Sequence, residues 1–253
     1  MTTEPFWIAE PRSFILADGP DALTYLQSQL SQDLNGLTVG GSTYSLVLEP
    51  AGKVIAVVRV TRTGDESFVL DADPVVADPL LARLTRFKIR VKAELTLVDW
   101  QCLAVRGDAA ADSVIDAGEG TWVVPAWRGD GSAIDLIGPA PASPPSVREG
   151  AHDELLAARI EAAWPVAGID YEIGGAIPAA LGVVTEAVSF TKGCYPGQEL
   201  VERMDSRGAQ APKSLRAVDV PVGTAAGDEV EVDGTPVRVT SVAGTRALAL
   251  IHR

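Results

Sequence analysis

The chain has 253 residues, enough for one large domain or two small ones. Its 47% hydrophobic and 22% charged residues exclude wholesale disorder. Acids outnumber bases by 34 to 21, and the resulting net charge of -13 makes nucleic acid an unfavourable direct ligand. The longest apolar runs, such as VIAVV at 54–58, fall far short of the ~20 residues that span a bilayer. The opening MTTEPFWIAEPRSF lacks the basic and apolar regions of a signal peptide, so a cytoplasmic protein is expected. Cys102 and Cys194 stand 92 positions apart, which leaves neither a disulfide framework nor a CxxC pair. With only His152 and His252 besides, no protein-built metal site is expected.

In chain order, Leu23, Leu26, Leu30 and Leu34 make the apolar stripe of an amphipathic helix, with Asp18 or Asp21 to cap it and Gly36 to end it. YSLVLEPAGKVIAVVRV reads as two strands around a Pro50-Ala51-Gly52 turn. SFVLDAD is a further strand, and DPVVADPLLARLTRF a helix opened by Asp73 and Pro74 that exposes Arg83 and Arg86 on its last turn. A second round follows, with ELTLVDWQCLAVRG a strand, DAAADSVIDAG a helix, and TWVVPAW with SAIDLIG a pair of strands. Strands paired twice with a helix on each set describe an α+β protein. GPAPASPP at 138–145 is a linker or exposed loop. Leu155, Leu156, Ile160 and Ala163 then form the buried face of a helix flanked by Arg159 and Glu161. Beyond Gly208, four short strands separated by Gly, Pro and Asp turns suggest a small β-barrel-like module. The divisions are 1–145, an N-terminal α+β region; 146–208, a central helix and motif segment; and 209–253, the C-terminal module.

The most unusual stretch is SFTKGCYPGQELVERMDSRG, residues 189–208. Cys194 lies in a glycine-flanked turn, just before a helix QELVERM opened by Pro196 and Gly197. The positive end of that helix and the nearby Lys192 both favour a thiolate, the condition for a reactive cysteine. The same features suit a small filler in a tight turn, and one cysteine without a visible histidine partner leaves both readings open. Two basic islands interrupt the acidic chain: Arg83, Arg86, Lys88, Arg90 and Lys92 with no acid, and five bases against three acids at 192–216. Either is a solvated face or a cationic rim for an anionic ligand or partner.

The string KGCYPGQE, followed by basic residues through Arg203 to Arg207 and Gly208, closely resembles the signature of the YgfZ family. That family comprises folate-binding proteins related to the glycine cleavage system T-protein (aminomethyltransferase) and linked to iron–sulfur enzymes. LTYLQSQLSQDL, YSLVLEPAGKVIA, LLARLTRFKIRVK and AARIEAAWPVAGID are similar to further family segments, so nearly the whole chain is covered. The resemblance implies a T-protein-like fold of ferredoxin-like α+β subdomains and a small C-terminal β-barrel around a central folate-binding opening. It implies tetrahydrofolate or a one-carbon derivative as cofactor, and iron–sulfur enzymes or their assembly machinery as partners. Cys194 and Lys192 are then the reactive pair. Tyr44, Arg159, Glu161, Gly193, Tyr195, Gly197, Gln198, Glu199 and Arg203 fall on the binding side. Taken without the family, Glu161 reads as a solvated helix residue and Tyr44 as a strand-edge residue. In the T-protein the hairpin corresponding to residues 52–58 carries an acidic pair central to aminomethyl transfer, and this chain has Ala56 and Val57 there. The implied function is support of the assembly, maintenance or repair of iron–sulfur enzymes, with folate-dependent transferase-like chemistry at Cys194. The alternatives are a folate-dependent scaffold or sensor that docks iron–sulfur partners, and a residual aminomethyltransferase.

Overall fold

The structure is a computed structural model that describes residues 4–108, 110–114, 117–127, 131–206 and 211–252. The chain opens with β1 (Phe6–Ala9), β2 (Ser13–Asp18) and α1 (Ala22–Gln29), then β3 (Ser42–Leu48), β4 (Val54–Arg62) and β5 (Ser67–Ala72). Next come α2 (Ala77–Arg86), β6 (Glu94–Val98), β7 (Gln101–Arg106), β8 (Trp122–Pro125) and β9 (Ala133–Gly138). After β10 (Arg148–Glu149) follow the helices α3 (His152–Glu161), α4 (Pro178–Leu181), α5 (Val184–Ala187) and α6 (Gln198–Ser206). The last strands are β11 (Lys213–Asp219), β12 (Glu229–Val232), β13 (Thr235–Ala243) and β14 (Arg246–His252).

The first five-stranded sheet has the order β3-β4-β5-β2-β6 and the second β10-β1-β7-β9-β8. ELTLVDWQCLAVRG, which reads as one strand, is two: the chain breaks at Asp99 and Trp100, and β6 and β7 belong to different sheets. The two sheets share a packed contact in which Phe14 and Val69 of the first meet Cys102, Val124 and Ile137 of the second. The eight residues Val54–Thr61 of β4 are all buried, because α1, α2 and the central segment cover what the second sheet does not. Such a strand reads as a continuous apolar run rather than an alternation.

Three expected helices change on folding. The leucine stripe is half helix: α1 stops at Gln29, yet Leu30 and Leu34 are still fully buried beyond it. Asp21 does not cap α1 with its side chain, because its carboxylate accepts the Lys92 N–H instead. Asp73 opens a 3₁₀ turn at Pro74–Val76 ahead of α2, and its carboxylate goes to Arg12 and the Ala167 N–H. Arg83, expected on an exposed last turn, is buried with its guanidinium 4.0 Å from the Phe87 ring centroid. The segment DAAADSVIDAG forms only a 3₁₀ turn at Ala111–Ser113, and residues 109, 115 and 116 lie outside the described residues.

The C-terminal module is an antiparallel sheet of order β11-β14-β13-β12 with its own apolar cluster around Val218, Val239, Ala247 and Ala249. It is fastened to α3 through Ile160, which packs with Leu215 and Leu248. Among the described residues no helix is long and apolar enough to cross a membrane.

Candidate functional site

α3 places Glu154, Ala157, Ala158 and Glu161 on one face, the i, i+3, i+4, i+7 spacing of a helix, and Ala162 follows at its C-cap. That face borders a cleft of about 520 Å³ whose other walls are Phe6, Trp127, Ser132 and the chain leaving β7 at Arg106, Gly107 and Asp108. The paired alanines leave room between two glutamates. Glu154 is held by Arg148 and by the Ala151 N–H, and these bonds bring its carboxyl down to about 2. Glu161 is more exposed and meets Arg246 of β14, with Nε to Oε1 at 2.7 Å and Nη2 to Oε2 at 3.2 Å.

A second, smaller cavity of about 190 Å³ is lined by Ser42, Thr43, Tyr44, Arg59, Pro125, Trp127 and Glu186. Trp127 lines both. Its backbone N–H donates to the Tyr44 hydroxyl at 2.9 Å, and its ring lies 4.1 Å from the Arg106 guanidinium. Its φ of 51° is the left-handed region, which costs a non-glycine residue on the order of 1–2 kcal/mol. Tyr44 packs against Trp164 at 4.6 Å between ring centroids, and burial pushes its phenol up to about 12.

Behind the cavities lies a buried charge network that sequence reading missed. Arg59 of β4 reaches Asp71 of β5 at 2.9 Å and Asp135 of β9 at 2.6 Å. Arg106 of β7 reaches the other Asp135 oxygen at 2.7 Å and Glu10 at 3.3 Å. Arg12 joins Asp71 to Asp73. The available signal was one charge embedded in each apolar strand: VIAVVRV, SFVLDA, QCLAVR and AIDLIG. Lone charges at such positions must pair when the strands are buried.

Arg159 sits beneath the cleft rather than in it. Its guanidinium donates to Asp170 at 2.5 Å, to the Trp164 carbonyl at 2.9 Å and to Ser241 of β13 at 2.5 Å. It ties α3 to the C-terminal sheet.

The KGCYPGQE segment packs elsewhere, on the β3–β4 turn and the end of α1. The Lys192 ammonium donates to three carbonyls, of Gln27, Leu30 and Gln32, at 2.7, 2.5 and 3.0 Å. Burial pulls its pKa down to about 8, while Asp33 acts upward. Gly197 has φ 84°, and a Cβ there would stand 2.6 Å from the Glu49 carbonyl oxygen. Gly52 is the reciprocal partner, with a Cβ 2.6 Å from Leu200 Cβ, so turn and helix interlock through two glycines. Gln198 accepts the Tyr195 N–H and donates to Glu202. Glu199 and Arg203 form an exposed i, i+4 pair. The Tyr195 ring is buried 5.5 Å from the Lys192 nitrogen, and burial raises its phenol to about 12. Gly193 and Cys194 are exposed. Arg207 and Gly208 lie outside the described residues. None of these motif residues lines either cavity. The structure therefore places Glu161 and Tyr44 in two cavities that share Trp127, and Cys194 in neither.

No family model matches the chain. Over 222 residues it is 28% identical to "tRNA-modifying protein YgfZ" of Sodalis glossinidius, covering 79% of this chain and 67% of that one. It is 27% identical over 248 residues to "Iron-sulfur cluster assembly factor IBA57 homolog, mitochondrial" of Neurospora crassa, covering 88% and 55%. The chain is homologous to the YgfZ and IBA57 proteins. An uncharacterized protein of Haemophilus influenzae is 29% identical over 197 residues, covering 77% of this chain and 66% of that one. The chain thus spans about half to two-thirds of the length of these YgfZ, IBA57 and Haemophilus relatives. Its fold is that of the glycine cleavage system aminomethyltransferase T from Bartonella henselae, with a TM-score of 0.74 at 16% identity over 99% of this chain and 79% of that one. Against that fold, Ala56 and Val57 are buried apolar residues of β4, so neither presents a carboxylate.

Proposed function

We propose that the chain binds a reduced folate in the cleft beside α3 and serves the assembly or upkeep of iron–sulfur enzymes. One observation carries the binding half. Tyr44 and Glu161, distant in sequence, converge on Trp127, whose backbone holds the tyrosine hydroxyl and whose side chain walls the cleft with Glu161. The chemistry of the cleft fits a pterin. Glu161 offers two acceptor oxygens to the adjacent N–H donors of a 2-amino-pyrimidine edge, and Trp127 and Phe6 offer flat apolar walls. A volume of about 520 Å³ suits a ligand of that size. The printed function of the IBA57 relatives, iron–sulfur cluster assembly, supports the second half. Ala56 and Val57 in place of acids leave no carboxylate at that position, which argues against glycine-cleavage activity.

Cys194 is exposed on a loop pinned by Lys192 and Gly197, and it lines neither cavity. That placement favours a thiol that meets a partner over one that attacks a carbon held on the folate. Calorimetric titration with 5-formyltetrahydrofolate tests the site. Glu161→Ala leaves pterin donors unpaired, a cost of about 1–3 kcal/mol or roughly 5- to 150-fold in affinity. Unchanged affinity would remove Glu161 from the site.

A further inference from the structure

The Glu161 carboxylate is already engaged. Arg246 presents Nε and Nη2 side by side to its two oxygens, at 2.7 and 3.2 Å. This is a fork-to-carboxylate pairing, in which two parallel N–H bonds occupy the carboxylate edge. A pterin's 2-amino group and ring N–H form a fork of the same geometry. Both forks need that edge.

We propose that Arg246 is a latch that competes with the ligand for Glu161, so that filling the cleft and freeing Arg246 from α3 are one event. The inference rests on the folate reading of the cleft. It concerns the C-terminal sheet, which that reading does not otherwise use. Two features make the exchange cheap. Arg246 also holds Asp219 of β11 at 3.0 Å through Nη1, so its charge keeps a partner when Glu161 leaves. The buried Arg159, Asp170 and Ser241 contacts keep the C-terminal sheet docked on α3 without Arg246, so the change stays local. Glu154, the other glutamate on this face, is held by an Arg148 fork and by a backbone N–H as well, so Glu161 is the one with the fewer bonds to give up. Consequently ligand binding is reported at the start of β14, on the surface of the C-terminal module.

The test uses 6-methyltetrahydropterin under anaerobic conditions, because it carries the paired donors without the anionic tail that Arg246 would attract. Arg246→Ala removes an exposed ion pair and is expected to bind it about two- to fivefold more tightly than the parent chain. Arg246→Lys keeps the charge but loses the fork, and is expected to bind more tightly as well. In Glu161→Ala the further change Arg246→Ala should have no effect, since the latch then has nothing to hold. Unchanged or weaker binding in Arg246→Ala, with Glu161→Ala still impaired, overturns the latch alone. Unaltered binding in Glu161→Ala overturns the folate reading of this cleft and the latch together. Matching thermal midpoints for the variants would show that Arg246, a half-buried side chain, alters binding and not folding.

Discussion

Three carbonyl oxygens around one ammonium make Lys192 a structural residue that closes the C-terminal end of α1, where backbone acceptors lack helical partners. Replacing it by methionine strands those acceptors, and Lys192→Met is expected to lower unfolding free energy by about 1–3 kcal/mol in urea titrations. Cys194 is exposed and closes nothing, so Cys194→Ser should leave stability within about 0.5 kcal/mol of the parent. A Lys192→Met chain as stable as the parent would show that the lysine's role is chemical after all. The two thiols differ as sharply. Cys102 is buried, and that burial pushes its pKa well up, with Asp135 and Glu10 acting in the same direction. Iodoacetamide at neutral pH should therefore modify Cys194 in the folded chain and reach Cys102 only after denaturant is added. Mass spectrometry of each peptide checks the order, and early loss of the Cys102 thiol would contradict the buried position of β7.

At the scale of strands, the network of Arg12, Arg59 and Arg106 against Glu10, Asp71, Asp73 and Asp135 joins the two sheets with one more acid than base. Buried pairs of this kind give geometric definition more than net stability, because desolvation offsets much of the attraction. Glu10 bears the excess: burial first, then repulsion from Asp135, raises its pKa above 4.5. A carboxyl with a folded-state pKa above its unfolded value makes its most favourable contribution at low pH. That contribution is lost as pH rises from the unfolded value through the folded one. Glu10→Gln should therefore raise the thermal midpoint at pH 8, with the gain shrinking as pH falls towards 4. A gain that is the same at both pH values would argue against titration of Glu10. Asp135 behaves oppositely, since Arg106 and Arg59 overcome burial and bring it to about 2, so its contribution is lost only as pH falls from its ordinary range towards that value.

At the scale of the molecule, the C-terminal sheet and the central helix are joined by Arg159, whose partners Asp170 and Ser241 lie 11 and 82 residues further along. The Ser241 and Thr240 hydroxyls both donate to the remaining Asp170 oxygen, so the joint is saturated. Arg159→Met leaves Asp170 buried without its cation, and a loss of about 3–5 kcal/mol is expected in chemical denaturation. Limited proteolysis should then release residues beyond α6 earlier than in the parent. If cleavage and stability are both unchanged, Arg159 is not the anchor, and its place in the binding set implied by the family resemblance regains support.

Local patterns determined much of this protein. The β3–β4 hairpin, α3, α6 and the four C-terminal strands are legible as apolar periodicities bounded by Gly and Pro, because each depends on contacts close in sequence. The KGCYPGQE segment was visible as an oddity, but what its residues do was not. Gly197 is required by a backbone 148 positions earlier at Glu49, and Lys192 by carbonyls at 27 to 32. Nor does one strand's pattern show that β6 and β7 part into two sheets, since a short break at Asp99 looks the same whether the chain pairs onward or crosses over. The cleft was decided by tertiary structure alone. Phe6, Arg106 and Trp127 come from three distant segments, and their meaning arises from burial and from the partners that folding brings to them, neither of which a linear pattern records.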